Sequence, residues 1–204
     1  MIVIVNYGLG NLSSVQNMLR RAGAKVVVSD DAKEILNAKK LLLPGVGHFG
    51  YGMKMLNQSG LRGVLDTFAL ELKKPVLGIC LGAQMLGNGS EEGGEQGLGW
   101  LDMYCRRLPN EPGLRVPHMG WNQVMQKKAS PLFGNADNAA RYYFVHSYFM
   151  DCASSEDIVA TTMHGVEFTS VVQRGNIFGT QFHPEKSLRH GLAMMSAFSE
   201  LSEE

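Results

Sequence analysis

The stretch 75–86, Pro-Val-Leu-Gly-Ile-Cys-Leu-Gly-Ala-Gln-Met-Leu, limits what this chain can fold into more than any other. Its apolar run 76–79 shows no alternation and suits a strand of a parallel sheet covered on both faces. Gly78 and Gly82 flank Cys80 at a spacing of two, the pattern of a nucleophile elbow. Small neighbours there let the backbone turn sharply and push one side chain out of the sheet. From Leu81 onward the pattern is helical. First-turn amides and the positive helix end would then lie beside the sulfur, favouring thiolate and offering a donor to an oxyanion. A buried cysteine in a Gly-rich turn satisfies the same pattern, so the elbow alone leaves both readings open.

Around it, strands and helices alternate. Residues 1–5 form an apolar strand, 11–22 a helix with Leu12, Val15, Leu19 and Ala22 on one face and Gly23 as its stop, and 26–28 a second strand. A short helix over 31–38 leads to a third strand, 41–43. This order predicts a parallel sheet with helices on both faces, forming one domain over 1–204. Gly8-Leu9-Gly10 is half of a dinucleotide fingerprint, but it lacks the third glycine and argues little for a nucleotide. The run 44–50, Pro-Gly-Val-Gly-His-Phe-Gly, with Gly52 beyond, reads as a loop of accessible amides at the carboxyl edge of the sheet. Leu61, Val64, Leu65, Phe68 and Leu72 mark an amphipathic helix before the Cys80 strand.

After Leu86 the glycine-rich 87–99 segment, with Glu91, Glu92 and Glu95, reads as a surface excursion. Strands are expected at 100–107, 121–125, 142–150, 158–162, 169–173 and 177–182, with a turn at Arg174-Gly175-Asn176, and a closing helix at 187–201. They form an antiparallel extension. Trp121, beside Gly120, suits either a contact anchor for a partner or a place in the core.

With 19 basic and 19 acidic residues, interspersed, the chain offers no stripe for nucleic acid or an anionic membrane. Three widely spaced cysteines, Cys80, Cys105 and Cys152, suit neither zinc nor a redox dithiol and point to a reducing compartment. The start of the chain lacks a basic n-region, and no segment reaches a spanning length, so the expectation is a cytoplasmic protein without metal or cofactor.

A thiolate that performs acyl transfer needs a base, and the base needs an orienting acceptor. Of six histidines, His183 follows an apolar strand, precedes Pro184 and has Glu185 two positions on. Pro184 is expected to fix an extended turn that projects both side chains to one edge. His146, beside Ser147 and Tyr148, is the rival, with Asp151 as its nearest following acid.

The Cys80 elbow combined with Gln181-Phe182-His183-Pro184-Glu185-Lys186-Ser187 resembles the class I, triad-type glutamine amidotransferases. Within that family, the segments 44–47, 90–93, 117–122, 143–148 and 183–187 are similar to the glutaminase subunits of imidazole glycerol phosphate synthases, and the similarity spans the chain. The resemblance implies a flavodoxin-like α/β fold: an open, mostly parallel sheet flanked by helices, with an antiparallel extension. It implies Cys80 as nucleophile toward L-glutamine, His183 as proton shuttle and Glu185 as its orienting group. The Leu81 amide and the Gly45-Val46-Gly47 loop would form the oxyanion hole, the loop after a peptide reorientation. Gln84, Ser147 and Tyr148, with Gly47, would hold the amino-acid end of glutamine. The implied partner is a (β/α)8-barrel cyclase in a heterodimer that receives ammonia through a shielded tunnel for histidine biosynthesis, contacted at or near Trp121, Asn122, Tyr143 and Lys186. Ala83 and Gly87 depart from the bulkier residues usual in the family, which implies looser packing behind the elbow.

Competing readings are the same glutaminase chemistry in another synthase (anthranilate, aminodeoxychorismate, guanylate or pyridoxal phosphate), a cysteine hydrolase or peptidase, and a binding domain that kept the fold without the chemistry. The segments 117–122 and 143–148 argue against the first. The placement of Glu185 argues against the second, and the intact Cys, His and Glu set against the third.

Overall fold

The computed structural model describes residues 1–134 and 140–202. Strands β1 (Ile2–Val5), β2 (Val26–Ser29), β3 (Lys40–Gly45) and β4 (Val76–Cys80) pair in parallel in the order β2-β1-β3-β4. Each is nearly continuous in apolar residues because both faces are covered. Ile4, Leu42, Leu77 and Ile79 point into one core; Val3, Val5, Leu41, Leu43 and Val76 point into the other. Helix α1 (Leu12–Arg21) packs on the first face through Val15, Met18 and Leu19. Helices α2 (Ala32–Asn37), α3 (Phe49–Gln58) and α4 (Arg62–Asp66) pack on the second. Asp31 caps α2 by accepting from the Glu34 amide at 2.8 Å.

The sequence predicts a glycine loop where α3 begins. The helix starts at Phe49 because two acceptors cap it: His48 Nδ1 takes the Gly50 amide at 3.1 Å, and Glu92 takes the Phe49 amide at 2.9 Å. Phe49, Met53 and Leu56 recur at helical spacing and are fully buried, each stabilising the fold by about 1.5–3 kcal/mol. Gly52 faces the elbow, where a Cβ would come within 2.9 Å of Leu81 Cδ2.

Beyond the elbow the chain makes the one-turn helix α5 (Leu81–Gln84) and then β5 (Gly89–Ser90), an edge strand rather than part of a surface excursion. Gly97 and Leu98 of the same segment are buried, with the Leu98 amide donating to the Met85 carbonyl at 2.8 Å. The remaining strands are β6 (Met103–Arg107), β7 (His118–Gln123), β8 (Met125–Gln126), β9 (Arg141–His146), β10 (Tyr148–Cys152), β11 (Ile158–His164), β12 (Val166–Arg174) and β13 (Ile177–Thr180). β13 joins β4 in parallel, giving the flavodoxin-like order β2-β1-β3-β4-β13. The sheet then continues antiparallel through β12, β10 and β6. Helix α6 (Leu188–Glu200) closes the first face with Met194, Met195 and Phe198.

The strand expected over 142–150 is two strands. β9 pairs with β7 in a separate two-stranded sheet, whereas β10 pairs with β6 and β12 in the main sheet. The chain changes sheets at Ser147, whose carbonyl accepts from Leu108 at 2.9 Å. This switch brings β9 beside the turn that follows β13, where the Tyr143 carbonyl accepts from the His183 amide at 2.9 Å and Val145 and His146 border the same cleft as Cys80.

Packing behind the elbow is close rather than loose. Ala83 is fully buried, and a Cβ at Gly179 would stand 3.1 Å from its own. At Gly87 a Cβ would stand 2.6 Å from the Met103 carbonyl oxygen, so a larger residue would not fit there without a shift.

Candidate active site

Cys80 ends β4 at φ 53° and ψ −109°, a conformation that costs a non-glycine residue about 1–3 kcal/mol. Its neighbours explain why it holds. A Cβ at Gly78 would lie 2.7 Å from Ala83 Cα, and one at Gly82 would lie 1.8 Å from the Leu43 carbonyl oxygen. The turn is thus wedged between β3 and the start of α5 with no room for side chains at either flank. Helix α5 is a single turn, shorter than the sequence pattern suggests, so the local amides at Leu81 matter more here than an extended helix dipole.

The sulfur opens into a cleft of about 420 Å³ lined by Val46, Gly47, Leu81, Gln84, Ser147, Tyr148, His183 and Lys186, among others. The cleft therefore gathers four parts of the chain far apart in sequence. A larger hollow of about 550 Å³ lies at the opposite edge of the sheet, near Pro75, Gln173 and Phe178, and is lined by no cysteine, histidine or carboxylate among the described residues.

His183 follows β13 and caps a short 3-10 turn, Pro184–Lys186, with Pro184 at its first position. The turn is helical, not extended as the sequence implied, and it brings Glu185 back onto the ring. The His183 Nδ1–H donates to Glu185 Oε1 at 2.8 Å, with both side chains 2% exposed. Ser187 fixes the turn by donating to the His183 carbonyl at 2.6 Å and accepting from the Tyr143 amide at 3.0 Å. With Nδ1 engaged, the buried Nε2 makes no other hydrogen bond among the described residues and is left to the Cys80 sulfur, which acts on the ring. Burial alone would lower the proton affinity of this ring. The Cys80 sulfur and the Glu185 carboxylate outweigh it and raise the His183 pKa to about 10. His146, the rival base, has its pKa lowered to about 3 by burial and by the neighbouring His118. Its Nδ1–H donates to the Tyr148 carbonyl at 2.9 Å, and no carboxylate supports it.

Gly45 ends β3 directly beneath the elbow, where a Cβ would lie 2.7 Å from the Tyr7 hydroxyl. That hydroxyl donates to the Pro44 carbonyl at 2.8 Å, which anchors the strand before the loop turns away. Val46 is 40% exposed at the mouth, and Gly47 has φ +101°, a left-handed backbone suited to glycine. Gln84 donates from Nε2 to the Tyr148 carbonyl at 2.9 Å and to Gln181 Oε1 at 3.1 Å, leaving its Oε1 as acceptor.

Trp121, Tyr143 and Lys186 form one cluster beside the mouth: the two rings meet edge to face at 6.1 Å, and Lys186 Nζ lies 5.7 Å from the Tyr143 centroid. Met119 and Trp121, on the same face of β7, are exposed there. Asn122 points the other way along β7, donating from Nδ2 to the Met163 carbonyl at 2.9 Å and to His118 Nε2 at 3.1 Å. Its amide is thus engaged within the chain, while the residue stays half-exposed.

Tyr7, Glu92, His118 and Gln181 are site residues the sequence did not bring forward. Glu92 lines the cleft, and Gln181 donates from Nε2 to Cys80 Sγ at 3.8 Å. Only Gln181 carries a local signal, sitting two residues before His183 where β13 delivers its side chain to the same edge. Among the described residues, no group of three or more His, Cys, Asp or Glu is arranged to hold a metal ion, and no helix is long and apolar enough to cross a membrane.

The model of the class-I glutamine amidotransferases matches residues 3–199. The chain belongs to that family. This amidotransferase is 49% identical over 201 residues to the imidazole glycerol phosphate synthase subunit HisH 2 of Pseudomonas aeruginosa, covering 98% of this chain and 100% of that one. It is 45% identical over 204 residues to the HisH subunit of Bdellovibrio bacteriovorus, covering 98% and 100%. A crystal structure described as a glutamine amidotransferase superposes with a TM-score of 0.75 at 20% identity, covering 97% of each chain, and so shares the fold of this amidotransferase.

Proposed function

We propose that this chain is the glutaminase subunit of an imidazole glycerol phosphate synthase. In this reading it works as a single catalytic domain in a reducing cytoplasm, hydrolyses L-glutamine and passes ammonia to a (β/α)8-barrel cyclase in histidine biosynthesis. The observation that carries the reading is His183, clamped between Glu185 and the Cys80 elbow in a cleft bordered by the 45–47 loop. The near-complete match to curated HisH subunits supports the choice of synthase.

In the proposed reaction Cys80 gives its proton to His183 Nε2 and attacks the side-chain amide carbon. The oxyanion is taken by the Leu81 amide and by a second amide of Gly45-Val46-Gly47 once that loop reorients. His183 then protonates the amide nitrogen, the C–N bond breaks, and ammonia leaves a glutamyl thioester. Water attacks the thioester, gives its proton to His183, and glutamate departs as the thiol is restored. Glu92 and Gln84 Oε1 supply acceptors for the α-ammonium of glutamine, and Ser147 and Tyr148 flank its carboxylate. Trp121, Tyr143 and Lys186, with Met119, form the face toward the cyclase. Ammonia travels shielded because its protonated form is not a nucleophile.

The test mixes the chain with a barrel cyclase and follows product formation from glutamine or from ammonia. Wild type uses both, and Cys80→Ser uses only ammonia; a Cys80→Ser complex that still consumed glutamine would overturn the assignment. Glutamine turnover is expected to be low without the partner and to rise when it binds, so equal rates with and without cyclase would remove the licensing role of the loop.

A further inference from the structure

Outside the triad, a set of hydrogen-bonded polar side chains runs between the small sheet and the elbow, and its donors and acceptors have one consistent direction. The Tyr148 carbonyl can only accept, so His146 Nδ1, at 2.9 Å, carries a proton and donates to it. His146 Nε2 is then an acceptor, and His118 Nδ1, at 3.0 Å, must donate to it. That leaves His118 Nε2 to accept from Asn122 Nδ2 at 3.1 Å. On the other side of the same carbonyl, Gln84 Nε2 donates at 2.9 Å and also donates to Gln181 Oε1 at 3.1 Å. The Gln181 amide is therefore oriented with its Nε2–H toward Cys80 Sγ at 3.8 Å. The His118 ring cannot turn freely, being stacked on His164 at 4.0 Å and on Phe144 at 4.7 Å. Gln181 is completely buried.

We propose that His118, His146 and Gln181 form a buried hydrogen-bond relay that positions the Cys80 sulfur, with Gln181 as the catalytic member that touches it and the two histidines as positioning residues. The inference rests on the reading of Cys80 as nucleophile. His183 takes the proton of the thiol, but a thiolate left behind in a buried site also needs a donor. Gln181 provides a neutral one whose direction is set by Gln84 and the Tyr148 carbonyl. That carbonyl is shared with His146, so the orientation of the donor depends on the neutral histidine pair under the small sheet. A cluster of this kind resembles a metal site at first sight, yet the ring nitrogens of His118 and His146 are all engaged in hydrogen bonds.

Two measurements on the full chain test the relay. In the first, ¹⁵N-histidine NMR of the wild type reads tautomers directly, with no variant needed. His118 and His146 are both expected to carry the proton on Nδ1, the less common tautomer in water; Nε2–H signals from either ring would overturn the proposal. In the second, iodoacetamide alkylation of Cys80 is followed against pH. The other titratable groups that act on or through the sulfur are His183 with its Glu185, Tyr7 and Cys105. Gln181→Glu keeps the acceptor for Gln84 but replaces the donor with a carboxylate oxygen. It should slow alkylation at neutral pH by about 10- to 100-fold, move its midpoint to higher pH, and lower kcat for glutamine more than it changes KM. His146→Asn retains an Nδ–H donor and should fall between wild type and His146→Leu in alkylation rate. Wild-type alkylation in Gln181→Glu, even with a lowered melting temperature, makes the residue structural only and overturns the relay. A wild type that alkylates as expected but supports no cyclase leaves the relay standing and instead sinks the proposed function.

Discussion

His183 and His146 are buried in the same small region, and their proton affinities move in opposite directions. One is held near a pKa of about 10 and the other near about 3. Burial opposes the charged form in both, so it does not account for the difference. The partners do. His183 has a carboxylate on Nδ1 and feels the Cys80 sulfur; His146 has a carbonyl and a second neutral imidazole. A buried histidine becomes a base only when an anion stands behind it, and without one it serves as a directional neutral link.

The largest effect that tests this contrast is loss of the base. His183→Ala should reduce glutamine-dependent turnover of the complex by about 10²–10⁴-fold while ammonia-dependent turnover is retained. His146→Asn should lose about tenfold or less, and equal losses would abolish the distinction between the two rings. Next is the charge behind the base. Glu185→Gln preserves shape but removes the anion, so the His183 pKa should fall from its raised value, seen as a shift in NMR titration and in the pH profile of kcat, with activity down by about 10- to 100-fold.

The converse experiment gives the neutral pair an anion. Asn122→Asp sets a carboxylate against His118 Nε2, where the ring now has its pKa lowered to about 4, chiefly by burial. The His118 titration should rise toward or past its ordinary value of 6.5, read by NMR, and an unchanged titration would show that burial rather than partner chemistry dominates there. The smallest effect is in stability. Because the folded values of His118 and His146 lie below 6.5, their contribution is fully present above that pH and is lost as pH falls toward about 4 and then about 3. For His183 the sign reverses: its contribution is present below 6.5 and lost as pH rises toward about 10. Urea unfolding from pH 7 to 4 should therefore show declining stability, with a shallower decline in His146→Leu.

The residues of the proposed triad were legible because they sit in local words of the sequence: Gly-Ile-Cys-Leu-Gly specifies a turn, and His-Pro-Glu places His183 and Glu185 on a single turn. Even there, the helical rather than extended course at Pro184 became visible only when Ser187 was seen to lock it. The start of α3 was illegible because Gly50 and Gly52 weigh against a helix, while the group that caps it, Glu92, comes some forty residues later. The histidine pair was out of reach for a different reason. It depends on β7 and β9 pairing so that His118 stands opposite His146, a register that neither strand carries by itself. Trp121 stayed open between a partner anchor and a core place, because only the pairing of β7 decides which face it takes, and in the structure it alternates with Asn122 onto the outer face.

The 1.8 Å approach between a Cβ at Gly82 and the Leu43 carbonyl oxygen has a consequence for engineering. The elbow and the strand that leads into the 45–47 loop share a seam with no slack, so neither can be tuned alone. A library that varies the 45–47 loop for speed would also be moving the sulfur, and one that varies the elbow would also be moving the loop. Improvements in this enzyme should therefore arrive as paired changes across the seam, and single substitutions on either side should be mostly silent or damaging.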